Sequence, residues 1–462
     1  MKIHTERARK YLDEHIGIIR GLFSGHDHVQ EAKKRLLIAL PFWLAGLVTA
    51  VVATIYARLF HVFENQALVI FSSFGYWALV LVPILFISSW YVVDRFAPYA
   101  NGSGIPQLMA AAELSQEGPK NAFIEKLFSL RIIVAKVVSS LLGVLGGGAI
   151  GREGPTLQIA GSIFHLTGKF FSKGHSAKNN HIMILAGGAA GLASAFNTPL
   201  GGIAYVVEEL SKSHLASFRT GILHSVIVAG LISQLIMGPY LYFGYPKVDS
   251  FHIAQLGLLI MISVFIGLLV GFFGQALKLV VIYRSRIQGK TQTAILTGLA
   301  GLVFAAFAIF VSGASVGSGK YMLNDLLFEG KVADFLDVFS RFFGTIVTYF
   351  VGGAGGIFAP ALSLGGAGAS FLGSAVGYNL GPVGVLVGMT AALSALTQSP
   401  FTSFVLILEM TDRHSAIFPL MIAALIGHGV AKFVSKNSFY EFICARILVA
   451  ESSSRVPKKP SP

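Results

Sequence analysis

Long apolar stretches separated by short polar or glycine-rich connections make up most of the chain. A stretch of about 20 apolar residues predicts a membrane-spanning helix, because each helical residue adds about 1.5 Å and the hydrocarbon layer is about 30 Å thick. Several stretches here are shorter, or are interrupted by Gly and Pro. The stretches are 36–60, 67–93, 132–145, 182–196, 222–243, 256–282, 294–311, 342–351, 361–380, 383–396, 401–408 and 416–434.

The interruptions have a structural meaning. In hydrocarbon every backbone N–H and C=O needs a partner, so broken helices persist only where they are buried in protein or line a wet cavity. A receptor or a simple anchor has no need of them, whereas a transporter with broken helices at its centre does. The pattern therefore predicts an all-α polytopic membrane protein of tilted, partly broken helices.

Composition supports this prediction. Of the 462 residues 54% are hydrophobic and only 12% are charged, against about 25% charged in an ordinary soluble domain. Cys444 is the only cysteine, so no intrachain disulfide and no thiol-ligated metal are expected. The thirteen His residues show no His-Glu-x-x-His spacing. We expect no metal and no cofactor.

The net charge of +13 is concentrated outside the apolar stretches. Lys and Arg gather in residues 1–35, in the connections 169–178 and 278–290, and after residue 432. The positive-inside rule then predicts that both termini are cytoplasmic and that the number of crossings is even. These charges form no aromatic-interleaved groove, which argues against nucleic-acid binding. Residues 1–35 are expected to be a cytoplasmic amphipathic segment and residues 451–462 a short polar cytoplasmic tail, with no soluble regulatory domain.

An internal repeat divides the membrane region. Residues 147–162 align with 352–367, with seven of the sixteen positions identical. Residues 102–104 align with 317–319, and 187–208 align without a gap with 388–409. Three collinear matches predict a duplicated domain with halves at 36–243 and 244–450 and a substrate site between them. The sequence periodicity does not say whether the halves are inverted.

Candidate chemistry lies at the breaks of this repeat. Glu153 is an acid within a long apolar region, and an ionisable group at membrane depth marks an ion or proton pathway. Three segments place Gly and Pro immediately before an apolar run, which predicts three helix N-termini. Helix N-termini bind anions through backbone amides. The segments are Gly102-Ser103-Gly104-Ile105-Pro106, Gly151-Arg152-Glu153-Gly154-Pro155 and Gly356-Ile357-Phe358-Ala359-Pro360.

These three motifs, followed by Tyr440 near the end of the chain, resemble the CLC chloride channels and transporters over residues 36–450. The resemblance implies two inverted halves and a homodimer with one pathway per subunit. It implies that a central chloride is bound by the hydroxyls of Ser103 and Tyr440 and by the backbone amides of Ile357 and Phe358. Glu153 would be the gate that competes with chloride for an outer anion site.

Residues 196–209 resemble the antiporter pattern, in which the second of two Glu residues receives protons from the cytoplasm, here Glu209. The expected function is therefore chloride/proton exchange, by a transporter rather than an enzyme, in a bacterial inner membrane. The expected partners are chloride, protons and the lipid bilayer. A Gln at 107, where many members have Glu, is expected to alter the local potential without removing the site.

Several alternatives stay open. A passive chloride channel would share every anion motif, and Ser103 argues against the fluoride exporters, which have Met at this position. Ser103 could act as a helix N-cap, Tyr440 as an interfacial aromatic, and Glu209 as a solvated helix-end carboxylate. Gly313-Ala-Ser315-Val-Gly317 matches the nucleophile elbow of hydrolases, but it follows an apolar stretch rather than a strand.

Overall fold

The computed structural model describes residues 25–73, 75–116, 122–171, 177–210, 220–238, 241–248, 255–378 and 381–455. Within these ranges the regular structure is helical. The helices are α1 (Gly25–Ser73), α2 (Ala78–Phe96), α3 (Ile105–Leu114), α4 (Ala122–Leu127), α5 (Leu130–Leu145), α6 (Glu153–Phe171), α7 (Ala177–Phe196), α8 (Pro199–Tyr205), α9 (Thr220–Met237), α10 (Leu256–Ser285), α11 (Lys290–Phe310), α12 (Lys320–Phe328), α13 (Phe335–Val351), α14 (Phe358–Ala375), α15 (Gly381–Thr397), α16 (Pro400–Thr411), α17 (Ile417–Val434) and α18 (Phe439–Arg455).

The first helix joins regions that the sequence pattern separates. It is continuous through residue 73 and so contains the span 36–60 and the start of 67–93. The chain breaks instead near Gly75, whose φ of +51° lies in the left-handed region that favours glycine. Residues 25–35 belong to the same helix, while 1–24 lie outside the described residues, as do 456–462 of the predicted tail; residues 451–455 continue α18.

Six helical stretches of the described chain are long and apolar enough to cross a membrane. They are Ile38–Ser73, Gly75–Phe96, Ala122–Leu145, Leu256–Ser285, Lys290–Phe310 and His414–Val434. Large apolar side chains point outward from the bundle, with Phe433 92% and Leu235 80% exposed. Extended apolar surfaces of this kind fit contact with lipid rather than with water. The shorter helices α7, α9, α15 and α16 pack inside this layer or beside it.

The backbone repeats its unusual conformations at equivalent positions of the two halves. Gly104 and Gly319 precede α3 and α12 with φ of +103° and +89°. Asn197 and Gln398 precede α8 and α16 with φ of +57° and +60°, a conformation uncommon outside glycine. The repeat seen in the sequence is therefore also a repeat of local geometry.

Reciprocal hydrogen bonds join the halves at the centre of the molecule. Gly151 N–H donates to Gly356 C=O at 2.7 Å, and Gly356 N–H donates to Gly151 C=O at 2.8 Å. The two glycines are equivalent in the repeat, and the short segments that contain them run antiparallel. A pseudo-two-fold axis therefore passes between them. The fold is thus two inverted halves of partly broken helices, in agreement with the sequence-based expectation. The exact boundary between them stays a prediction.

Each half also holds its broken loop with a buried cation. Lys136, on α5, is 0% exposed and donates to the carbonyls of Ala100 and Gly102, both at 2.9 Å. Arg341, on α13, is equally buried and donates to the Gly317 carbonyl at 3.0 Å. The two cations are 205 residues apart, the same offset that relates Gly151 to Gly356. They satisfy carbonyls that a broken helix would otherwise leave unpaired.

Two glutamates exchange helix caps across the halves. Glu208, at the end of the first repeat, accepts a hydrogen bond from Thr402 N–H of α16 at 2.6 Å. Glu409, its counterpart, accepts one from Gly201 N–H of α8 at 2.8 Å. A carboxylate at a helix N-terminus pairs the free amides and interacts favourably with the helix dipole.

We expect Glu409→Ala to lower the free energy of unfolding by about 1–2 kcal/mol, the usual cost of losing an N-cap. The thermal unfolding midpoint of the purified protein in detergent measures the effect. Glu329→Ala, at an exposed carboxylate, is the matched control and should leave the midpoint unchanged. Equal midpoints for the two variants would show that the exchanged caps contribute nothing.

Candidate functional site

Three helix N-termini meet around the Gly151–Gly356 pair. The sequence places these starts at Pro106, Pro155 and Pro360, and the helices begin one or two residues earlier, at Ile105, Glu153 and Phe358. The first N–H groups of a helix have no acceptor within that helix. Backbone hydrogen bonds from Gly102 to Gly353 and from Gly355 to Gly102, at 2.9 and 3.0 Å, bring the first loop against the third.

Glycine is required where these loops touch. A Cβ on Gly154 would overlap the hydroxyl of Ser103, and one on Gly104 would lie 2.8 Å from the carbonyl oxygen of Gly154. The N-terminus of α6 therefore packs directly on the Ser103 loop. A side chain at Gly154 would separate the two.

Ser103 and Tyr440 bring two buried hydroxyls close together. The residues are 2% and 1% exposed, and the two hydroxyls are close enough to interact with each other. Neither hydroxyl has a hydrogen-bond partner of acceptable geometry among the described residues. An unpaired buried polar group costs about 1–3 kcal/mol, so the pair is a candidate site for a bound species that accepts hydrogen bonds.

The alternatives for these two residues do not fit the geometry. The N-cap of α3 is Gly104 and carries no side-chain cap, so the N-cap interpretation of Ser103 is wrong. Tyr440 is in the first turn of α18 and is buried, whereas an interfacial aromatic keeps its ring at the membrane surface.

Glu153 is the first residue of α6 and is 1% exposed. Its Oε1 accepts a hydrogen bond from the Tyr242 hydroxyl at 2.9 Å, and its Oε2 has no partner of acceptable geometry in the described part of the chain. The carboxylate folds back over Gly151, where it leaves no room for a Cβ. It thus covers the convergence of the helix N-termini.

A cavity of about 220 Å³ lies beside Glu153. Arg58, Arg152 and Lys320 line it together with Glu64, whose carboxylate accepts the Ser318 N–H at 2.7 Å. Arg152 faces this cavity, 8% exposed, with its guanidinium 5.8 Å from the ring of Tyr242. The positive side chains favour entry of an anion up to the carboxylate.

A second cavity, of about 330 Å³, reaches Ser103 from the other direction. Arg284 and Arg446 line it beside Gly102 and Tyr349. Beneath the same loop Lys136 supplies a buried positive charge. The hydroxyl pair is therefore approached through basic surroundings on this side also.

Gln107 occupies the position where the resemblance leads us to expect Glu. Its amide nitrogen donates to the carbonyls of Asn101 and Tyr99 at 2.9 and 3.2 Å. It thus braces the chain that carries Ser103. A neutral side chain here leaves the positive charge of Lys136 without a carboxylate from this position.

Glu209 lies in a π-helical turn, Val206–Leu210, and is 6% exposed. The Ser399 hydroxyl, at the N-cap of α16, donates to its carboxylate. The carboxylate is therefore held against α16 while it lines a cavity, and its role in proton transfer stays a prediction. Glu113 and Glu441 face Glu209 across a cavity of about 520 Å³. Tyr205 is buried within electrostatic range of both Glu209 and Tyr440.

Sequence reasoning missed four residues of this region: Tyr242, Lys136, Ser399 and Tyr205. A lysine inside an apolar helix is a recognisable signal, and Lys136 could have been found by it. Tyr242 lies in a connection without periodicity, and Ser399 meets its partner across 190 residues of chain. Only the folded arrangement reveals these two.

The described residues contain neither a metal-binding cluster nor an exposed nucleophile in the elbow-like motif. In the described part of the chain no three His, Cys, Asp or Glu side chains are grouped to hold a metal ion. Ser315 of the elbow-like motif is fully buried in a short 3₁₀ turn and donates to the Ser312 carbonyl at 3.2 Å. It is not an exposed nucleophile.

Comparisons with known proteins agree with this architecture. The family model described as voltage gated chloride channel matches residues 84–432. The H(+)/Cl(-) exchange transporter ClcA of Citrobacter koseri is 28% identical, with 93% of each chain covered. The protein of the same name from Yersinia pestis bv. Antiqua (strain Angola) is 29% identical, with 92% of this chain and 91% of that one covered.

Solved structures share the fold. A slow cyanobacterial Cl-/H+ antiporter is 25% identical, with a TM-score of 0.78, 90% of this chain and 99% of that chain covered. A CLC-type fluoride/proton antiporter is 20% identical, with a TM-score of 0.74, 88% of this chain and 97% of that one covered. The second likeness concerns the fold alone.

We expect Gly154→Ala to weaken chloride binding about 5- to 150-fold, because overpacking of about 1–3 kcal/mol falls directly on Ser103. Titration calorimetry of the purified protein with chloride measures the affinity. Gly274→Ala, on α10 where an added Cβ meets nothing within 4 Å, is the control and should bind as the unmodified protein does. Unchanged chloride affinity in Gly154→Ala would show that Ser103 is not part of the anion site.

Proposed function

The chain belongs to the voltage gated chloride channel family, and from that premise we propose that it exchanges chloride for protons across a membrane. The relatives named above are exchange transporters, and this chain covers nine-tenths or more of their length. It is an integral membrane protein with six candidate spans among its described residues. We place it, as a homodimer with cytoplasmic termini, in a bacterial inner membrane.

The anion site in this proposal lies between Ser103 and Tyr440. Their unpaired hydroxyls donate to chloride, and the amides of Ile357 and Phe358 at the start of α14 complete the shell. Hydroxyls and amides carry no full charge, so they hold the ion without trapping it. Lys136 supplies a positive potential one layer away, behind the carbonyls of its loop.

Glu153 competes with chloride for the outer part of this site. When ionised, its carboxylate fills the space over Gly151 at the N-terminus of α6, where negative charge is favoured. Protonation removes that attraction and lets the side chain leave. One position with two alternative occupants couples the two ions, because chloride advances only where the carboxylate has withdrawn.

Protons reach Glu153 from the cytoplasmic side through Glu209. The cavity of about 520 Å³ gives Glu209 access to water, and Ser399 holds its carboxylate in place. Tyr205 and Tyr440 occupy the region between the two glutamates. The observation that carries the proposal is the combination of two unpaired buried hydroxyls with a buried carboxylate on one cluster of helix N-termini.

In liposomes, Glu153→Gln is expected to leave chloride flux intact and to abolish proton transport driven by a chloride gradient, because Gln cannot carry the proton. Chloride efflux and external pH, recorded together, measure both ions. Uphill proton movement persisting in this variant would sink the mechanism. An unmodified protein whose chloride flux ignores the proton gradient would identify a passive channel instead.

Glu209→Gln is expected to spare chloride movement and to reduce proton movement to background. The neighbouring Glu208→Gln is the matched control: it weakens the cap on α16 and should lower thermal stability while leaving proton coupling in place. If Glu209→Gln kept its proton flux, another group would have to be the inner donor.

A further inference from the structure

We infer that Tyr242 is a positioning residue for the gate: its hydroxyl holds the Glu153 carboxylate in the closed arrangement and so sets how readily the gate opens. This inference rests on the proposed function. It adds a residue from the connection after α9, outside every motif identified in the sequence. Tyr242 acts on transport through Glu153.

The contact is direct and shielded from water. The Tyr242 hydroxyl lies 2.9 Å from Oε1 of Glu153, and the two residues are 4% and 1% exposed. It is the one side-chain hydrogen bond found for this carboxylate among the described residues. Hydrogen bonds to a charged acceptor are stronger than neutral ones, and burial increases the difference.

The ring of Tyr242 is held on several sides. Lys320 Nζ lies 4.3 Å from its centroid, a cation–π contact. Phe196 packs against it edge to face at 5.0 Å, and Phe196 in turn lies 5.2 Å from Phe358 at the start of α14. Phe243 N–H donates to the Met410 carbonyl at 3.2 Å and anchors the connection. These contacts hold the Tyr242 hydroxyl in place independently of its hydrogen bond to Glu153.

The donated hydrogen bond favours the ionised carboxylate over the protonated one. Removing it should let protons and chloride displace Glu153 more easily. Other groups also act on this carboxylate: Arg152 before its helix start, its own backbone N–H, Glu64 and Tyr56 on α1, and Tyr440 on α18. Lys320 on α12 lines the same cavity and contacts the Tyr242 ring. Tyr242→Phe leaves all of these and the ring contacts in place, so it isolates the hydroxyl.

The test is chloride flux from liposomes as a function of pH. For Tyr242→Phe we expect the half-activating proton concentration to fall about tenfold, which moves the midpoint about one pH unit upward. Chloride flux at neutral pH should rise in the same variant. Tyr245→Phe, at a tyrosine 58% exposed, is the control and should reproduce the unmodified profile.

A second background separates positioning from a general structural role. In Glu153→Gln the Tyr242→Phe change should no longer alter flux, since the acceptor charge is gone. An equal effect in both backgrounds would overturn the inference. So would a Tyr242→Phe profile identical to that of the unmodified protein.

Replacing Tyr242 with 3-fluorotyrosine provides an independent measurement, because the more acidic hydroxyl is a stronger donor. The midpoint should then move downward; an unchanged midpoint would contradict the inference. The proposed function fails separately, through absence of chloride-driven proton transport in the unmodified protein. The two ideas can therefore be rejected one at a time.

Discussion

The pairing of backbone groups inside a lipid-exposed bundle is the constraint on which this structure depends. A broken helix leaves N–H and C=O groups where water is scarce, and each half of the chain supplies the partners for the other. Gly151 and Gly356 exchange two hydrogen bonds, while Glu208 and Glu409 exchange helix caps. Because part of each half's broken backbone is paired only by the other half, the halves need one another, and the candidate site lies where they meet.

Charge within this region follows the same logic. Lys136 and Arg341 donate their hydrogen bonds to loop carbonyls. The chain can therefore keep two buried cations without placing either of them against the proposed anion. In the proposed function the neutral donors are left for the anion. Among the described residues no cation forms an ion pair with Glu153, and the Tyr242 hydroxyl donates to its carboxylate. Weak, neutral contacts around a single carboxylate are suited to an occupant that has to leave.

Much of this could be read from the sequence. The apolar stretches located the helices, because burial and length determine them, and glycine before proline located the three breaks to within two residues. The pattern failed at α1, where the helix continues through the polar residues of 61–66 and the chain turns only at Gly75. It also failed at Tyr242 and Ser399, whose partners are distant in sequence. Their positions come from tertiary packing, which leaves no local signal.

The bridge between Gly151 and Gly356 has a mechanical consequence. A transporter that rocks one half against the other would have to break this pair and its neighbours at Gly102 in every cycle, at the point where water cannot replace them. The framework is better suited to stay rigid while one side chain rotates about its own torsions. Gating would then need only the rotation of one carboxylate side chain, with no movement of one half against the other.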